Sequence, residues 1–396
     1  MLDDSAQPSR STSASGALLL RTLHDSEPAM SAAPKLLYLY LGRRGAMPKF
    51  TLELVRAPHP GGVAAPVAIA QDNALAADFD ALPNAVVKLR LFGNAVGAWL
   101  EIGRLGALRR ELGRFIDAHS PDAVVELMPH VWSPFLEDVP MRRGVKRVTI
   151  LHDWRSHPGD HYGLVNGWLT RSALRADHIV TLSRSVADDI IAGGAAPPDR
   201  VTALFHPDTG ALQEPLRAGG PLRVLFFGRL LPYKGLDLCV EAIARARASG
   251  AAIELCVAGQ GDIGSLRSAL ERIGATVCNH WLDDEQIGRM LVDCHVVAAT
   301  HREASQSGVI AAALGAGRPV IATPVGSLPE QVVHERTGLV AAEVSAEAIA
   351  GVLLRLADDR SLLERLASNV VAEAPARSMQ AFARALTEAV SPLVRA

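Results

Sequence analysis

From Lys35 onward, short apolar runs alternate with longer stretches of helical spacing. In the first half the runs are "KLLYLYL" (35–41), "PVAIA" (66–70), "AVVKLRL" (85–91), "AVVEL" (123–127), "RVTIL" (147–151), "HIVTL" (178–182) and "VTALF" (201–205). In the second they are "LRVLFF" (222–227), "AIELCVA" (252–258), "ATVCNHW" (275–281), "HVVAAT" (295–300), "PVIAT" (319–323) and "TGLVA" (337–341). Runs this short and this continuous read as strands buried on both faces. The stretches between them read as helices, with Pro48 suited to a first helical turn. Strands alternating with helices predict an α/β chain with parallel sheets covered on both sides. The segment 206–221 is rich in Pro and Gly and interrupts the pattern, so the division between two doubly wound, Rossmann-like domains falls there. Two such domains face each other across a cleft lined by the carboxyl ends of their strands, where ligands bind in this architecture.

Length agrees with two cores: 396 residues exceed what one ordinary core organises. Apolar residues make up 49% of the chain, enough for both. The net charge of −2 gives no global pull toward nucleic acid. Cys239, Cys256, Cys278 and Cys294 form no C-x-x-C pair and sit in apolar segments, which argues against a zinc site or disulfide framework and for a reducing, cytoplasmic setting. No apolar run reaches the roughly 20 residues that span a bilayer. Residues 1–34 read as a disordered extension, and Met30 just before the first strand leaves 1–29 as an upstream extension or a misassigned start.

The first chemical signal is "ELCVAGQGDIGSL" (254–266), where Gly259, Gly261 and Gly264 have the G-x-G-x-x-G spacing of a dinucleotide turn. Asp283 or Asp284 lies at about the distance of the acid that such a turn uses, ~20 residues on. The turn follows the second strand of its half, however, where a dinucleotide fingerprint follows the first. The first strand instead runs into "FFGRLLPYKGLDLCVEA" (226–242), with Gly228 at its end, Arg229 and Lys234 on the loop and a helix from near Gly235. A guanidinium fork and an ammonium point charge at that edge suit a diphosphate. In "HREASQSGVIAAALGAGRPVIATPVGSLPEQV" (301–333), Ser307, Gly308 and Val309 open a helix whose first amides favour an anion. Glu303, on the preceding loop, suits sugar hydroxyls or caps a helix.

These segments, "GRLLPYKGLD", "AGQGD", Glu303 and the "GRPVIATPVGSLPE" tail, resemble the retaining, nucleotide-sugar-dependent glycosyltransferases of family 4, of the type called glycosyl transferases group 1. The resemblance implies the GT-B fold: residues 35–210 for the acceptor, a linker at 211–221, residues 222–375 for the nucleotide sugar, and a last helix in 376–396 that crosses back to the first domain. It implies that Arg229 and Lys234 hold the donor diphosphate, that Ser307, Gly308 and Val309 give backbone donors to it, and that no metal or other cofactor takes part. Gly228 and Gly259 lie on donor-side loops, Trp281 and Leu282 near the nucleobase, and Glu303 near the donor sugar. On the other side, "LGRRGAMPKF" (41–50) brings Gly42 and Gly45 to the donor. "TILHDWRSHPGD" (149–160) matches His152 to the active-site histidine, with Asp153 and His157 beside it on the acceptor side. A His/Asp metal site is the competing reading of that cluster.

The chain departs from the family in one respect. The second glutamate, eight positions after the first, falls on Ala311, or on Ala312 counted back from Gly317. Gln306 is the candidate for a replacement polar contact. The resemblance implies transfer of a sugar from a nucleoside-diphosphate donor to a glycan or lipid-linked acceptor, as in bacterial-type surface polysaccharide synthesis. The alternative is a non-catalytic sugar-nucleotide-binding protein. The segment 94–118 spaces Trp99, Leu105, Leu108, Leu112 and Phe115 near one helical face and Arg104, Arg109, Arg110 and Arg114 mainly elsewhere. That pattern is either a surface helix with its apolar side in the core or a peripheral contact with the inner face of a membrane.

Overall fold

Each of the apolar runs becomes a strand. The computed structural model describes residues 33–62, 64–91, 102–154, 163–210, 213–217 and 219–395. The first sheet holds β1 (Leu36–Tyr40), β2 (Val67–Ala70), β3 (Val86–Leu89), β4 (Ala123–Glu126), β5 (Lys146–Leu151), β6 (His178–Thr181) and β7 (Val201–Ala203) in the order β3-β2-β1-β4-β5-β6-β7. The second holds β8 (Leu222–Phe227), β9 (Ile253–Ala258), β10 (Thr276–Cys278), β11 (Val296–Ala299), β12 (Val320–Ala322) and β13 (Gly338–Val340) in the order β10-β9-β8-β11-β12-β13. Every pairing is parallel. Strand order reverses between β1 and β4 and again between β8 and β11, which opens a crevice at the carboxyl edge of each sheet.

Helices cover both faces of both sheets, which is why the interior strands carry no alternation of polar and apolar residues. On one face of the second sheet, Val224, Leu255, Val257 and Ile321 pack with Leu238, Ile243 and Leu353. On the other, Leu225, Val297 and Ala322 pack with Ile310 and Leu314. The first sheet has the same arrangement, and one of its faces is completed by the end of the chain. Met379, Phe382, Leu386 and Val390 of the helix Met379–Arg395 join Tyr38, Ile69, Val125 and Ile150 in one core. Phe382 meets Phe50 edge-on at 5.7 Å and Phe205 at 5.8 Å. Its full burial contributes about 1.5–3 kcal/mol.

The two chain segments that link the halves run side by side. The Asp208 amide donates to the Arg377 carbonyl at 2.8 Å, and Arg377 Nε donates to the Asp208 carboxylate at 2.9 Å. Both side chains are largely buried.

The 94–118 segment contains a single 3-10 turn, Ile102–Arg104, and the helix Leu105–His119; residues 94–101, with Trp99, lie outside the described residues. Leu108, Leu112 and Ile116 are buried against Leu37, Leu39, Leu89 and Val124. The described part of the apolar face therefore packs on the sheet. Arg109 is tied down as well, to the Asp138 carboxylate at 2.6 Å and the Phe135 carbonyl at 2.5 Å. Arg110 and Arg114 remain exposed. Among the described residues no helix is long and apolar enough to cross a membrane.

Candidate active site

At the reversal point of the second sheet the loops after β8 and β11 are fastened to each other. Thr300 Oγ1 donates to the Gly235 carbonyl at 2.8 Å, and the Arg302 amide donates to the Tyr233 carbonyl at 2.7 Å. Gly235 has φ +70°, and a Cβ there would stand 1.9 Å from the Thr300 carbonyl oxygen, so only glycine allows this approach. The loop between Gly228 and Gly235 carries Arg229, exposed, and Lys234, half-buried. Lys234 Nζ donates to His301 Nε2 at 2.9 Å and stands 5.0 Å from the centre of the Tyr233 ring. Burial pulls the Lys234 ammonium down to about 8; the neighbouring Arg229 charge adds to the fall, and Asp153 opposes it. A cation held partly out of water, with a second cation beside it, is poised for an anion that restores its charge.

The helix Gly308–Gly315 starts against this loop: Val309 Cγ2 lies 3.1 Å from the place a Cβ on Gly228 would occupy. Gly308 is exposed, and nothing lies within 4 Å of its missing Cβ. The backbone at Gly308 is therefore unobstructed, and Val309 lies beside Gly228 at the start of the loop that carries Arg229 and Lys234. Ser307 differs from the expectation. It is buried, its amide donates to Gln331 Oε1 at 2.8 Å, and Gln331 Nε2 donates back to its carbonyl at 3.2 Å. That amide is occupied, and Ser307 acts as an anchor of the helix start.

Gly259 is likewise a packing residue in this structure. Its φ is +138°, its amide donates to the Cys278 carbonyl at 3.0 Å, and a Cβ would lie 1.8 Å from the Gly228 carbonyl oxygen. Gly261 has the same role, with a Cβ position 2.3 Å from the Leu230 carbonyl oxygen. The G-x-G pattern records two backbones in near contact, which shapes the Gly228–Arg229 loop. Trp281 and Leu282 part company: the indole is 68% exposed, whereas Leu282 is buried with Phe227 and Ala258 in the core and presents no surface to a nucleobase.

His152 stands at the end of β5, buried. Its Nε2 donates to the Leu127 carbonyl at 2.9 Å, and its Nδ1 accepts from Gln306 Nε2 at 3.2 Å. Burial lowers its pKa, against the Leu127 carbonyl and Asp153, so the ring is neutral with its proton on Nε2. Gln306 reaches it from the loop after β11, and Gln306 Oε1 is buried with no hydrogen-bond partner among the described residues. Asp153 is exposed beside His152, and its charge acts on Lys234 across the cleft. His157 lies outside the described residues. Gly45 has φ +92° and open space around it, while Gly42 packs under the Tyr40 hydroxyl and accepts from Asn73 Nδ2 at 3.3 Å. Glu303 is exposed and lines an opening of about 330 Å³ with Trp154, Ser185, Ser305 and Gly326. Ala311 is buried, and its carbonyl accepts from the Thr209 amide at 3.2 Å.

Sequence reasoning missed two further groups. His301 follows β11 and is the direct partner of Lys234; its place two residues before Glu303 was the available signal. His130 follows β4 and is pushed down to about 4 by burial, with Arg43 adding to the fall. Among the described residues no three or more His, Cys, Asp or Glu side chains gather to hold a metal ion.

Residues 221–359, the second sheet and its helices, match the family described as glycosyl transferases group 1. Over those residues the chain is of the group 1 type, and it is a glycosyltransferase. Alpha-D-kanosaminyltransferase of Streptomyces kanamyceticus is 27% identical over 69% of this chain and 77% of its own length. The GDP-mannose-dependent alpha-(1-6)-phosphatidylinositol monomannoside mannosyltransferase of Mycobacterium tuberculosis is 32% identical over 41% of this chain and 46% of its own. HepE of Anabaena, solved in complex with UDP, superposes with a TM-score of 0.66 at 18% identity, over 90% of this chain and 100% of that one. That likeness places the glycosyltransferase in the GT-B fold.

Proposed function

We propose that this glycosyltransferase moves a sugar from a nucleoside-diphosphate donor to a hydroxyl of a glycan or lipid-linked acceptor, with retention of configuration. The observation that carries the reading is the convergence of Arg229, Lys234 and the open helix start at Gly308 and Val309 on the crevice between β8 and β11. Two cations and the positive end of a helix dipole at one point are built for a diphosphate. The nucleotides of similar proteins support it: HepE was solved with UDP, and the mycobacterial enzyme is named for GDP-mannose.

In this reading residues 222–375 hold the donor, 35–210 the acceptor, and the helix after 376 ties the end of the chain to the acceptor half. The C1–oxygen bond to the diphosphate breaks as the acceptor oxygen bonds to C1 on the same face. The acceptor proton passes to the departing phosphate oxygen. Arg229, Lys234 and the helix start stabilise the charge that develops on that phosphate, which is the role a metal ion fills elsewhere, so catalysis proceeds without one. His152, neutral and braced at both ring nitrogens, shapes the sugar side of the cleft. Gln306 Oε1 offers an acceptor for a donor hydroxyl where the family's second glutamate is absent. The protein acts in the cytoplasm, in surface polysaccharide synthesis. Any membrane contact of the 94–118 segment is electrostatic, through Arg110 and Arg114.

The test is incubation of the purified protein with a panel of UDP- and GDP-sugars, scoring release of the nucleoside diphosphate with and without chelator. Turnover that survives chelator is expected. Binding of a donor with no hydrolysis or transfer to any acceptor leaves a sugar-nucleotide-binding protein instead.

A further inference from the structure

The "VGSLPE" segment ends in a carboxylate that the reaction above does not use. Glu330 lies in the short helix Leu328–Gln331 that follows β12. Its Oε2 accepts from the Arg184 amide at 2.7 Å and its Oε1 accepts from the Ser185 amide at 2.8 Å. Those amides open the helix Arg184–Ala192, which follows β6 of the other sheet and is capped by Ser183 Oγ on the Val186 amide. One carboxylate of the donor half thus closes the N-terminus of a helix in the acceptor half. Such a contact gains from charge-assisted hydrogen bonds and from the helix dipole together.

Its surroundings lead straight to the site. Ser183 Oγ donates to the Ser305 carbonyl at 3.1 Å, again across the two halves, and Ser327 Oγ donates to the same carbonyl at 2.5 Å. Ser305 precedes Gln306, the partner of His152. Gln331, next to Glu330, anchors Ser307 at the start of the phosphate-facing helix. The ion pair of Lys49 with Asp284 at 2.8 Å also bridges the halves, but both of its side chains are exposed.

We propose that Glu330 is a positioning residue: it latches the donor half onto the helix Arg184–Ala192 and so holds the loop 303–307 against His152. The latch is a property of the closed cleft and acts on the reaction proposed above without touching substrate. It requires that the contact exist in solution, that it govern the spacing of the halves, and that it leave the diphosphate pocket itself alone.

The experiment uses the full chain and the variants Glu330→Ala and Glu330→Gln. Hydrogen exchange at the Arg184 and Ser185 amides is expected to speed up about 10-fold or more in Glu330→Ala, and less in Glu330→Gln, which keeps a neutral acceptor. The radius of gyration by small-angle scattering should rise in Glu330→Ala. Affinity for UDP and GDP alone should stay within about 2-fold, while kcat for transfer falls about 10-fold and is partly restored in Glu330→Gln. Unchanged exchange at Arg184 and Ser185 overturns the proposal. An equal loss of nucleoside-diphosphate affinity also overturns it, because it assigns the effect to the neighbouring Gln331–Ser307 anchor. The exchange and scattering arms do not depend on catalysis: if they respond and no transfer is found with any donor, the latch stands and the transferase reading falls.

Discussion

Gln306 Nε2 lies 3.2 Å from His152 Nδ1, a hydrogen bond made between the loop after β11 and the end of β5, two strands of different sheets. Because His152 Nε2 is already committed to the Leu127 carbonyl, this bond fixes both the tautomer and the orientation of the ring. In Gln306→Ala the buried Nδ1 has no partner. Leaving such a group unsatisfied costs about 1–3 kcal/mol. If the ring is needed in place for transfer, kcat/KM falls by roughly 5- to 150-fold. Steady-state kinetics on a saturable acceptor check this, and an unchanged kcat/KM means the bond is not used in turnover.

The cations proposed to hold the diphosphate carry a larger effect. Arg229→Ala and Lys234→Ala are each expected to lower kcat/KM by ~10²-fold or more, the size of losing one donor aimed at developing charge. Lys234→Arg restores only part of it. The guanidinium is a planar fork, and His301 Nε2, 2.9 Å from the ammonium, leaves space for a point charge. Near-normal activity in both alanine variants removes the diphosphate assignment.

The same lysine sets a pH dependence with opposite signs for activity and stability. In the free enzyme Lys234 loses its proton at about 8, whereas an unfolded lysine keeps its own to ~10.4. Between these values the unfolded chain binds more protons, so this group makes stability rise with pH there. Activity goes the other way: kcat/KM should fall as pH passes about 8, because the diphosphate meets a neutral amine. The fall in kcat should come at higher pH, since bound donor favours the ammonium. Thermal melts and rate profiles of wild type and Lys234→Met separate the two. A wild-type kcat/KM profile that is flat from pH 7 to about 9.5 contradicts the assignment.

The sequence carries the strands well, because a continuous Val/Ile/Leu run has few other fates. It also carries the glycines, but not what approaches them: Gly259 reads as a ligand turn, and only the fold shows that the Gly228 carbonyl fills the space. Trp281 and Leu282 are adjacent in sequence and equally apolar, yet one is exposed and the other joins the core. His301, Gln331 and Glu330 were hidden for a different reason. Each acts through hydrogen bonds to residues far along the chain, where spacing gives no signal. The helix Leu105–His119 shows the limit of amphipathic patterns, since a core-facing stripe and a lipid-facing stripe look alike.

The last prediction concerns the paired crossovers. Burial pushes the Asp208 carboxyl up to about 7, against the pull of Arg377, whose Nε is 2.9 Å away. A carboxylate raised in the folded state means the native protein holds a proton that the unfolded chain releases above ~3.9. Asp208 therefore contributes stability at low pH that is lost as pH rises through its unfolded value toward 7. Asp208→Asn keeps a hydrogen-bond acceptor for Arg377 and removes the titration. Its melting temperature should match wild type near pH 5 and equal or exceed it at pH 8. Arg377→Ala should do the reverse. It strands a buried carboxylate at pH 8, where breaking one side of such a pair costs about 3–5 kcal/mol, and the loss should shrink as the solution is acidified. Parallel melts of the two variants from pH 5 to about 8.5 test this sign. Equal and pH-independent losses in both would show that the pair is held by its backbone hydrogen bond alone.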